Sequence, residues 1–265
     1  MPEGRGLPGE VIAVVGHELR RPLASIRGYT QMLLAHWEDF PEADKLAMLQ
    51  EISHDAERAG QLMDDLMEVS RLEAGQVPLT MRQVDIRELV ARVVSRLKVT
   101  YPVLEASVEI PAPLPPVVAD PFRLEQVMGN IIENACQYGS PSTVRVTGGF
   151  RPSPLPGSGG AAPAGGAGRP GEPARGDAAP GVVEIAISDK GDGISPEDLP
   201  HVTEKFYRSA NAQPGGLGLG LWVSKSIVEA HGGELVASSV AGQGATVHFT
   251  IPLRRDGASG KLAGQ

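Results

Sequence analysis

The 265-residue chain is 41% hydrophobic and carries a net charge of −8, which argues against nucleic acid or an anionic membrane surface as its main partner. Its single cysteine, Cys136, excludes an internal disulfide and suits a reducing compartment. No apolar run approaches the roughly 20 residues that span a bilayer, and no basic-then-apolar signal opens the chain, so we expect no membrane span in these residues.

Two amphipathic helices are predicted in the first third of the chain, because apolar residues recur there at alternating spacings of three and four. The first covers residues 9–37, and the second ends at Gly75, a glycine typical of a helix C-cap. The seam positions are Ile12, Val15, Leu19, Pro22, Ile26, Tyr29 and Leu33 in the first helix and Leu49, Ile52, Ala56, Ala59, Met63 and Leu66 in the second. A short loop between them predicts an antiparallel hairpin. One hairpin cannot bury both seams, so a dimeric four-helix bundle is the simple solution; packing of the hairpin on its own C-terminal domain is the alternative.

The rest of the chain mixes helical and strand patterns. Helices are predicted over residues 84–98, 121–138 and 219–230, and strands over 144–146, 183–187 and 247–251. Asp120 and Pro121 suit the cap and the first position of the middle helix. We therefore expect an α+β fold, with an N-terminal helical domain at 9–75 and a C-terminal domain at 80–255 that has one mixed sheet with helices on one face.

Two segments are predicted to lack a fixed structure. Residues 151–181 contain a single large apolar side chain, Leu155, among prolines, glycines and alanines, and cannot bury enough surface to offset the entropy of ordering. We interpret this segment as a disordered loop on a hairpin; a docking role is the alternative. Residues 256–265 are expected to form a flexible tail.

The first chemical motif is Gly16-His17-Glu18-Leu19-Arg20, followed by Pro22. His17 lies two positions after the seam residue Val15, a rotation that turns it away from the seam and toward solvent. A neutral imidazole is nucleophilic, and the neighbouring Glu18 is placed to accept a proton on attack. The pair is a candidate for phosphoryl transfer to histidine; a solvated surface histidine is the alternative.

The second motif pairs Asn130 with Asn134, four residues apart and therefore on one helix face. Asparagine is a poor helix former, so two in mid-helix favour a functional reason over simple solvation. An amide oxygen is a suitable ligand for Mg²⁺.

Two glycine-containing motifs follow. Asp189, Gly191 and Gly193 come directly after a predicted strand, where a carboxylate can accept from an adenine amino group, although a plain turn is the alternative reading. A second glycine loop opens the last helix, where free backbone amides attract phosphate, and it contains Gly216, Gly218 and Gly220.

In this order, the motifs resemble those of the bacterial two-component sensor histidine kinases over residues 9 to 255. The phosphoacceptor motif of that family is similar to His17-Glu18-Leu19-Arg20 with Pro22-Leu23, its asparagine box to residues 130–138, and its glycine boxes to the two motifs above. Its phenylalanine box is similar to Glu204-Lys205-Phe206-Tyr207-Arg208. The resemblance implies a dimerisation and phosphotransfer bundle joined to a Bergerat-type ATP-binding domain, the left-handed α/β sandwich shared with DNA gyrase.

The resemblance also implies roles for individual residues. His17 would be the phosphoacceptor and Glu18 its base, and Asn134 would ligate Mg²⁺ with Asn130 nearby. The residues expected to bind ATP are Asn130, Asn134, Tyr138, Asp189, Gly191, Gly193, Phe206, Arg208, Gly216, Gly218 and Gly220. Within that set, Tyr138 would flank the adenine, Asp189 would bind its amino group, and the last three glycines would let a lid close over the phosphates.

Three positions depart from the family pattern. Arg21 stands where the family has a threonine or asparagine credited with positioning water for dephosphorylation of the partner, so weak phosphatase activity is expected. Gln137 replaces a basic residue that contacts phosphate, and Thr203 replaces the first phenylalanine of its box. The lid from Ser209 to Gly215 is short.

By resemblance, the chain is expected to be a homodimeric histidine kinase that uses ATP and Mg²⁺ to phosphorylate His17. It would pass the phosphoryl group to an aspartate of a response-regulator receiver domain. We expect a cytoplasmic location, at the inner face of the membrane through an upstream or separate sensor. The alternatives are a non-catalytic nucleotide-binding scaffold, favoured by Gln137 and Thr203, and a gyrase-like ATPase, which would leave His17 without a use.

Overall fold

A computed structural model describes residues 9–74, 78–140, 143–152, 181–209 and 216–253, with the backbone alone for 9–13. The expected C-cap at Gly75, the flexible tail at 256–265, the lid from 210 to 215 and nearly all of the predicted loop at 151–181 lie outside the described residues. The chain divides into two compact units. The first holds the N-terminal helices and residues within 200–223, and the second holds residues within 78–199 and from 224 onward.

The N-terminal helices form the expected hairpin. Helix α1 spans Gly9–His36, a short 3-10 turn covers Trp37–Asp39, and helix α2 spans Glu42–Glu73, packed along α1. The connection is fastened by Lys45, which is buried although it is a lysine. Its Nζ donates to Glu42 Oε1 at 2.7 Å and lies 4.7 Å from the centre of the Trp37 ring. The cation is therefore paired and covered by an aromatic face, which offsets the cost of its burial.

The apolar seam predicted for α2 is only partly covered in one chain. The buried apolar residues of this helix are Leu62 and Val69, whereas Leu49 and Met63 of the predicted seam are exposed. The cause is that α2 carries two adjacent apolar stripes, and the spacing of residues does not tell which stripe faces α1. The stripe that stays exposed in one chain consists of Leu46, Leu49, Ala56, Met63 and Met67.

The second unit is built on a mixed five-stranded sheet, as expected. Its elements in chain order are β1 (Arg82–Val84), α3 (Ile86–Thr100), β2 (Ala106–Glu109), β3 (Val117–Ala119), α4 (Pro121–Tyr138), β4 (Val144–Pro152), β5 (Gly181–Ser188), α5 (Gly220–Ala230, which begins in the first unit), β6 (Leu235–Ser239) and β7 (Ala245–Pro252). The large sheet has the order β2-β4-β5-β7-β6, in which only β2 and β4 run parallel. The strands β1 and β3 form a separate antiparallel pair.

The core of this unit lies between the sheet and its helices. Along β5 every second residue is buried, so Val183, Ile185 and Ile187 point inward while the residues between them stay half-exposed. Helix α4 contacts β4 and β5, and α3 packs on α4. This arrangement confirms the α+β class, with helices packed on the buried face of a mixed sheet.

Helix α3 begins later than predicted. Val84, expected in this helix, ends strand β1 opposite Val117. Asp85 is the N-cap, since its side chain accepts hydrogen bonds from the amides of Arg87 and Glu88. No helix of the described residues is long and apolar enough to cross a membrane.

Candidate active site

His17 lies on the exposed side of α1, as the seam predicts. Its side chain is 67% exposed, and its Nδ1 lies 3.9 Å from Oε1 of Glu18. The ring is therefore open to a reactant, and one of its two nitrogens faces a carboxylate.

Glu18 is the buried centre of a charged cluster within the first unit. Its side chain is only 9% exposed. Three guanidinium groups surround it, with Arg21 Nη1 at 3.8 Å and Arg208 Nη1 at 4.0 Å from Oε1, and Arg58 Nη2 at 3.9 Å from Oε2. We call His17, Glu18, Arg21, Arg58 and Arg208 the hairpin cluster. The three guanidinium groups concentrate positive charge around the carboxylate next to His17.

The segment that resembles the phenylalanine box is tied to α2 and to the start of α5 in the same unit. Lys205 forms an ion pair with Glu73, and its Nζ lies 4.5 Å from the centre of the Trp222 ring. Phe206 has a φ of 61°, the left-handed region that side chains rarely adopt, and it is the one described non-glycine residue with a positive φ. Such strain persists only where the surrounding contacts fix the backbone, and it is common at functional segments.

The second glycine loop packs against that segment. A Cβ at Gly218 would overlap the carbonyl oxygen of Tyr207, and the φ of +67° at this position also requires glycine. Gly216 and Gly220 lie beside it in the chain, with Gly220 at the start of α5. The contact brings the expected glycine and phenylalanine boxes together within the first unit.

In the second unit, Asn130, Asn134 and Tyr138 lie on the less buried face of α4. Both asparagines are half-buried and Tyr138 is exposed, whereas Ile131, Ile132 and Ala135 face the core. Asn130 Nδ2 donates to Ser224 Oγ at 3.3 Å. The face predicted to carry the asparagine motif is thus the one available for binding.

The turn at Asp189 touches the C-terminal end of α4. A Cβ at Gly139 would overlap Asp189 Oδ1, and a Cβ at Gly191 would overlap the Cα of Gly139, so glycine at both positions permits the close approach. Asp189 Oδ1 accepts from the Gly191 amide at 2.7 Å. Its Oδ2 makes no hydrogen bond to any residue that the structure describes, so this oxygen stays available to accept from a ligand.

Several supporting residues escaped the sequence analysis. Ser239 Oγ accepts from the Ile194 amide at 2.8 Å and donates to the Gly244 carbonyl at 2.8 Å, which fixes the chain after Gly193. Ser224 and Arg58 were also missed. The paired glycines at 242 and 244 signal a turn between strands, but nothing in the sequence links Ser239, Ser224 or Arg58 to distant partners.

Cys136 lies on α4 between the two motif residues Asn134 and Tyr138. Burial raises the pKa of its thiol, and the nearby carboxylate of Glu133 raises it further. The thiol is therefore a weak nucleophile at neutral pH.

The donor groups near α4 suit a nucleotide-borne metal better than a metal cage. No group of three or more His, Cys, Asp or Glu side chains in the described part of the chain could hold a metal ion by itself. Mg²⁺ in nucleotide sites keeps several waters and takes one or two protein ligands in addition to phosphate oxygens. The half-buried amide of Asn134 fits that requirement.

Comparison with protein families gives two matches that divide the chain in the same order as the motifs. Residues 9–75 match the His Kinase A (phospho-acceptor) domain. Residues 119–255 match the ATPase family described as histidine kinase-, DNA gyrase B- and HSP90-like.

Individual proteins agree with these matches. The chain is 29% identical to the sensor histidine kinase WalK of Bacillus subtilis over 93% of this chain and 37% of that protein. It is 32% identical to TcrY of Mycobacterium tuberculosis, named a probable sensor histidine kinase, over 94% and 46%. The solved structure of histidine kinase ThkA in complex with response regulator protein TrrA superposes with a TM-score of 0.63 at 21% identity, covering 93% of this chain and 62% of that one. The chain thus spans less than half the length of these two curated relatives.

Proposed function

The chain belongs to the sensor histidine kinases, and from that premise we propose that it is an ATP-dependent protein-histidine kinase whose phosphoacceptor is His17. The observation that carries the proposal is an open imidazole whose Nδ1 lies 3.9 Å from the buried carboxylate of Glu18. A surface histidine without a chemical role has no need of such a neighbour.

The two ring nitrogens of His17 have different roles in this proposal. Nδ1 faces Oε1 of Glu18, which leaves Nε2 as the nucleophile. A bond forms between Nε2 and the γ-phosphorus as the bond from that phosphorus to the ADP oxygen breaks. The Nδ1 proton passes to Glu18, so the product ring is neutral apart from its phosphoryl group. Arg21 and Arg208 of the hairpin cluster supply positive charge where the phosphoryl group arrives.

We propose the ATP-binding residues from their place in the family motifs. Oδ2 of Asp189 accepts from the adenine amino group, with Gly191 and Gly193 allowing close approach, and Tyr138 flanks the base. Asn130, Phe206, Arg208 and the loop of Gly216, Gly218 and Gly220 act on the phosphates and the lid. The free acceptor of Asp189 supports the first assignment; the others stay predictions.

We also propose that Asn134 ligates Mg²⁺ through its side-chain oxygen. When bound with the nucleotide, Mg²⁺ neutralises part of the phosphate charge. Asn134→Ala is expected to weaken nucleotide binding about tenfold in Mg²⁺, a loss of about 1.4 kcal/mol. Calorimetric titration with a non-hydrolysable ATP analogue measures this, and the same titration in EDTA is the control. Equal affinities of wild type and variant in Mg²⁺ would contradict the assignment.

The partners follow from the same premise. We propose that the phosphoryl group passes from His17 to an aspartate of a response-regulator receiver domain; the solved ThkA structure holds that kinase in complex with the response regulator protein TrrA, which supports a partner of this kind. We further propose a homodimer formed through the hairpin, and a cytoplasmic location at the inner face of the membrane beside a sensor.

Incubation of the purified chain with γ-labelled ATP tests the central proposal. The wild type is expected to carry acid-labile, alkali-stable label. His17→Gln should lose the label and keep nucleotide affinity, while the matched variant His54→Gln on α2 should keep both. A wild type that binds nucleotide but takes no label would instead support the non-catalytic scaffold. Label that persists in His17→Gln would move the acceptor to another histidine.

A further inference from the structure

The hairpin cluster contains one unsatisfied oxygen. Oε2 of Glu18 is fully buried and has no hydrogen-bond partner, and it is the one buried side-chain nitrogen or oxygen in this condition among the described residues. A buried carboxylate oxygen without a hydrogen bond is costly. The cation beside it is Arg58, whose Nη2 lies 3.9 Å away, close enough for an ion pair and too far for a hydrogen bond.

The two oxygens of Glu18 have different surroundings. Oε1 faces Nδ1 of His17 and also has Arg21 and Arg208 within 4.0 Å. Oε2 lies 3.9 Å from Nη2 of Arg58. Because a carboxylate is planar and rigid, a group that holds Oε2 also fixes the direction in which Oε1 points.

Of the three arginines, Arg58 is the one best placed to fix that direction. It extends from the 32-residue helix α2, the helix of the hairpin that does not carry His17, and its side chain is 34% exposed. Arg21 belongs to the same helix as Glu18 and is 54% exposed. Arg208 comes from outside the regular helices. Positioning groups act best from rigid elements with little freedom.

We propose that Arg58 is a positioning residue of the kinase, which holds Oε2 of Glu18 so that Oε1 receives the proton of His17. This inference rests on the proposed function. The three distances to Oε1 in the described part of the chain are those of ion pairs and not of hydrogen bonds, so that oxygen stays able to accept a proton. In this role Arg58 acts on the reaction through the orientation of Glu18.

The test compares initial rates of His17 phosphorylation across ATP concentrations in the full chain. Arg58→Gln is expected to lower kcat about tenfold and to leave the KM for ATP within about twofold. Arg58→Lys keeps the charge but lacks the planar guanidinium, so its kcat should lie between those of wild type and Arg58→Gln. The matched control is Arg71→Gln, which makes the same change on the same helix at an exposed residue away from Glu18; both constants should stay within about twofold of wild type.

A double-mutant cycle separates positioning from general damage. Glu18→Gln removes the base, so adding Arg58→Gln to it should cost no further rate. An added loss in the Glu18→Gln background, or an unchanged kcat in Arg58→Gln, would overturn the inference. A melting temperature that falls along with kcat would mark a structural ion pair and overturn it too. If Arg58→Gln does not fold, the kcat of Arg58→Lys decides by the same comparison.

The two proposals fail in different ways. A wild-type chain that takes no label on His17 rejects the proposed function. A labelled wild type whose Arg58→Gln variant behaves like Arg71→Gln rejects the positioning role of Arg58 alone.

Discussion

Arg21 occupies the position at which the family resemblance predicts a threonine or asparagine. It lies one helical turn after His17 on the same face, and its Nη1 is 3.8 Å from Oε1 of Glu18. A guanidinium donates hydrogen bonds and accepts none, so it attracts a phosphoryl group but cannot orient a water that must be deprotonated. We therefore expect a working kinase with weak phosphatase activity toward its phosphorylated regulator.

Arg21→Thr tests this expectation. The variant should accelerate dephosphorylation of the regulator, while autophosphorylation changes by no more than about tenfold, or about 1.4 kcal/mol in the barrier. Decay of purified phosphorylated regulator in the presence of each variant and ADP is the measurement. The matched control is Arg20→Thr, one position earlier on α1. Fast decay with the wild type, with no gain in Arg21→Thr, would refute the argument.

Cys136 offers a pH-dependent test of its surroundings on α4. Since burial and Glu133 raise the pKa of its thiol, the reactive thiolate is scarcer at neutral pH than for an ordinary cysteine and appears only at higher pH. Alkylation by iodoacetamide should therefore be slower than that of glutathione at pH 8 and should rise steeply as the solution becomes more alkaline. Glu133→Gln removes one cause of the raised thiol pKa and should move the increase in alkylation rate to lower pH. Identical profiles for wild type and Glu133→Gln would exclude the contribution of that carboxylate.

At the scale of elements, helix α4 is anchored at its first turn from two directions. The side chain of Asp120 accepts from the amides of Phe122 and Arg123, and its other oxygen accepts from the Thr80 amide at 2.8 Å. The Asp120 amide donates to Nε2 of the buried His231 at 3.0 Å, and Nδ1 of His231 lies 2.8 Å from the Ile227 carbonyl oxygen. His231 is therefore the neutral Nδ1–H tautomer, which joins the start of α4 to the end of α5.

His231→Phe should show how much this link contributes to the stability of the fold. The substitution keeps an aromatic ring but leaves the Asp120 amide and the Ile227 carbonyl without this partner, and an unsatisfied buried group costs about 1–3 kcal/mol. We expect the midpoint of urea unfolding, measured by circular dichroism, to fall. His54→Phe, at an exposed site on α2, is the control and should leave the midpoint unchanged. A midpoint equal to that of wild type would show that the ring acts only by filling space.

The elements that sequence predicts well are those whose signals are local. Asp120 and Pro121 mark the start of α4 correctly, because a cap and a proline act on the adjacent turn alone. Strands β1 and β3 are three residues each, which is too short to show a period of two. They pair residues that are far apart in the chain, such as 82 and 119. The sequence pattern therefore assigns Val84 to a helix. The exposed edge strand β2 also lacks a clear alternation of apolar and polar residues.

In the candidate site, too, local contacts follow from the sequence and contacts between distant residues do not. His17 and Glu18 are adjacent in the chain, and the helix period alone predicts that His17 faces solvent. Arg58 lies 40 residues beyond Glu18, and its proximity depends on how far α2 is shifted along α1. One residue of shift would move another side chain to Oε2, so this contact follows only from tertiary packing.

On the scale of the whole molecule, the hairpin leaves the exposed stripe of Leu46, Leu49, Ala56, Met63 and Met67 without cover in one chain. These residues recur at spacings compatible with a second seam. Continuous apolar stripes on a helix mark an interaction surface. A second hairpin related by a two-fold axis would present the same stripe in return, as an isologous dimer requires.

The double variant Leu49→Glu/Met63→Glu tests whether this stripe joins two chains. The two side chains are 47% and 60% exposed in one chain, so the change should not disturb its own core. Placing four carboxylates in the interface of a dimer should weaken its Kd at least about a hundredfold, or about 2.8 kcal/mol. Sedimentation equilibrium across a concentration series measures the change. Val99→Glu is the control, because Val99 is exposed at the end of α3, outside the hairpin, and should leave the dimer intact. A variant that stays dimeric at the concentrations at which the wild type does would show that the chains associate through another surface.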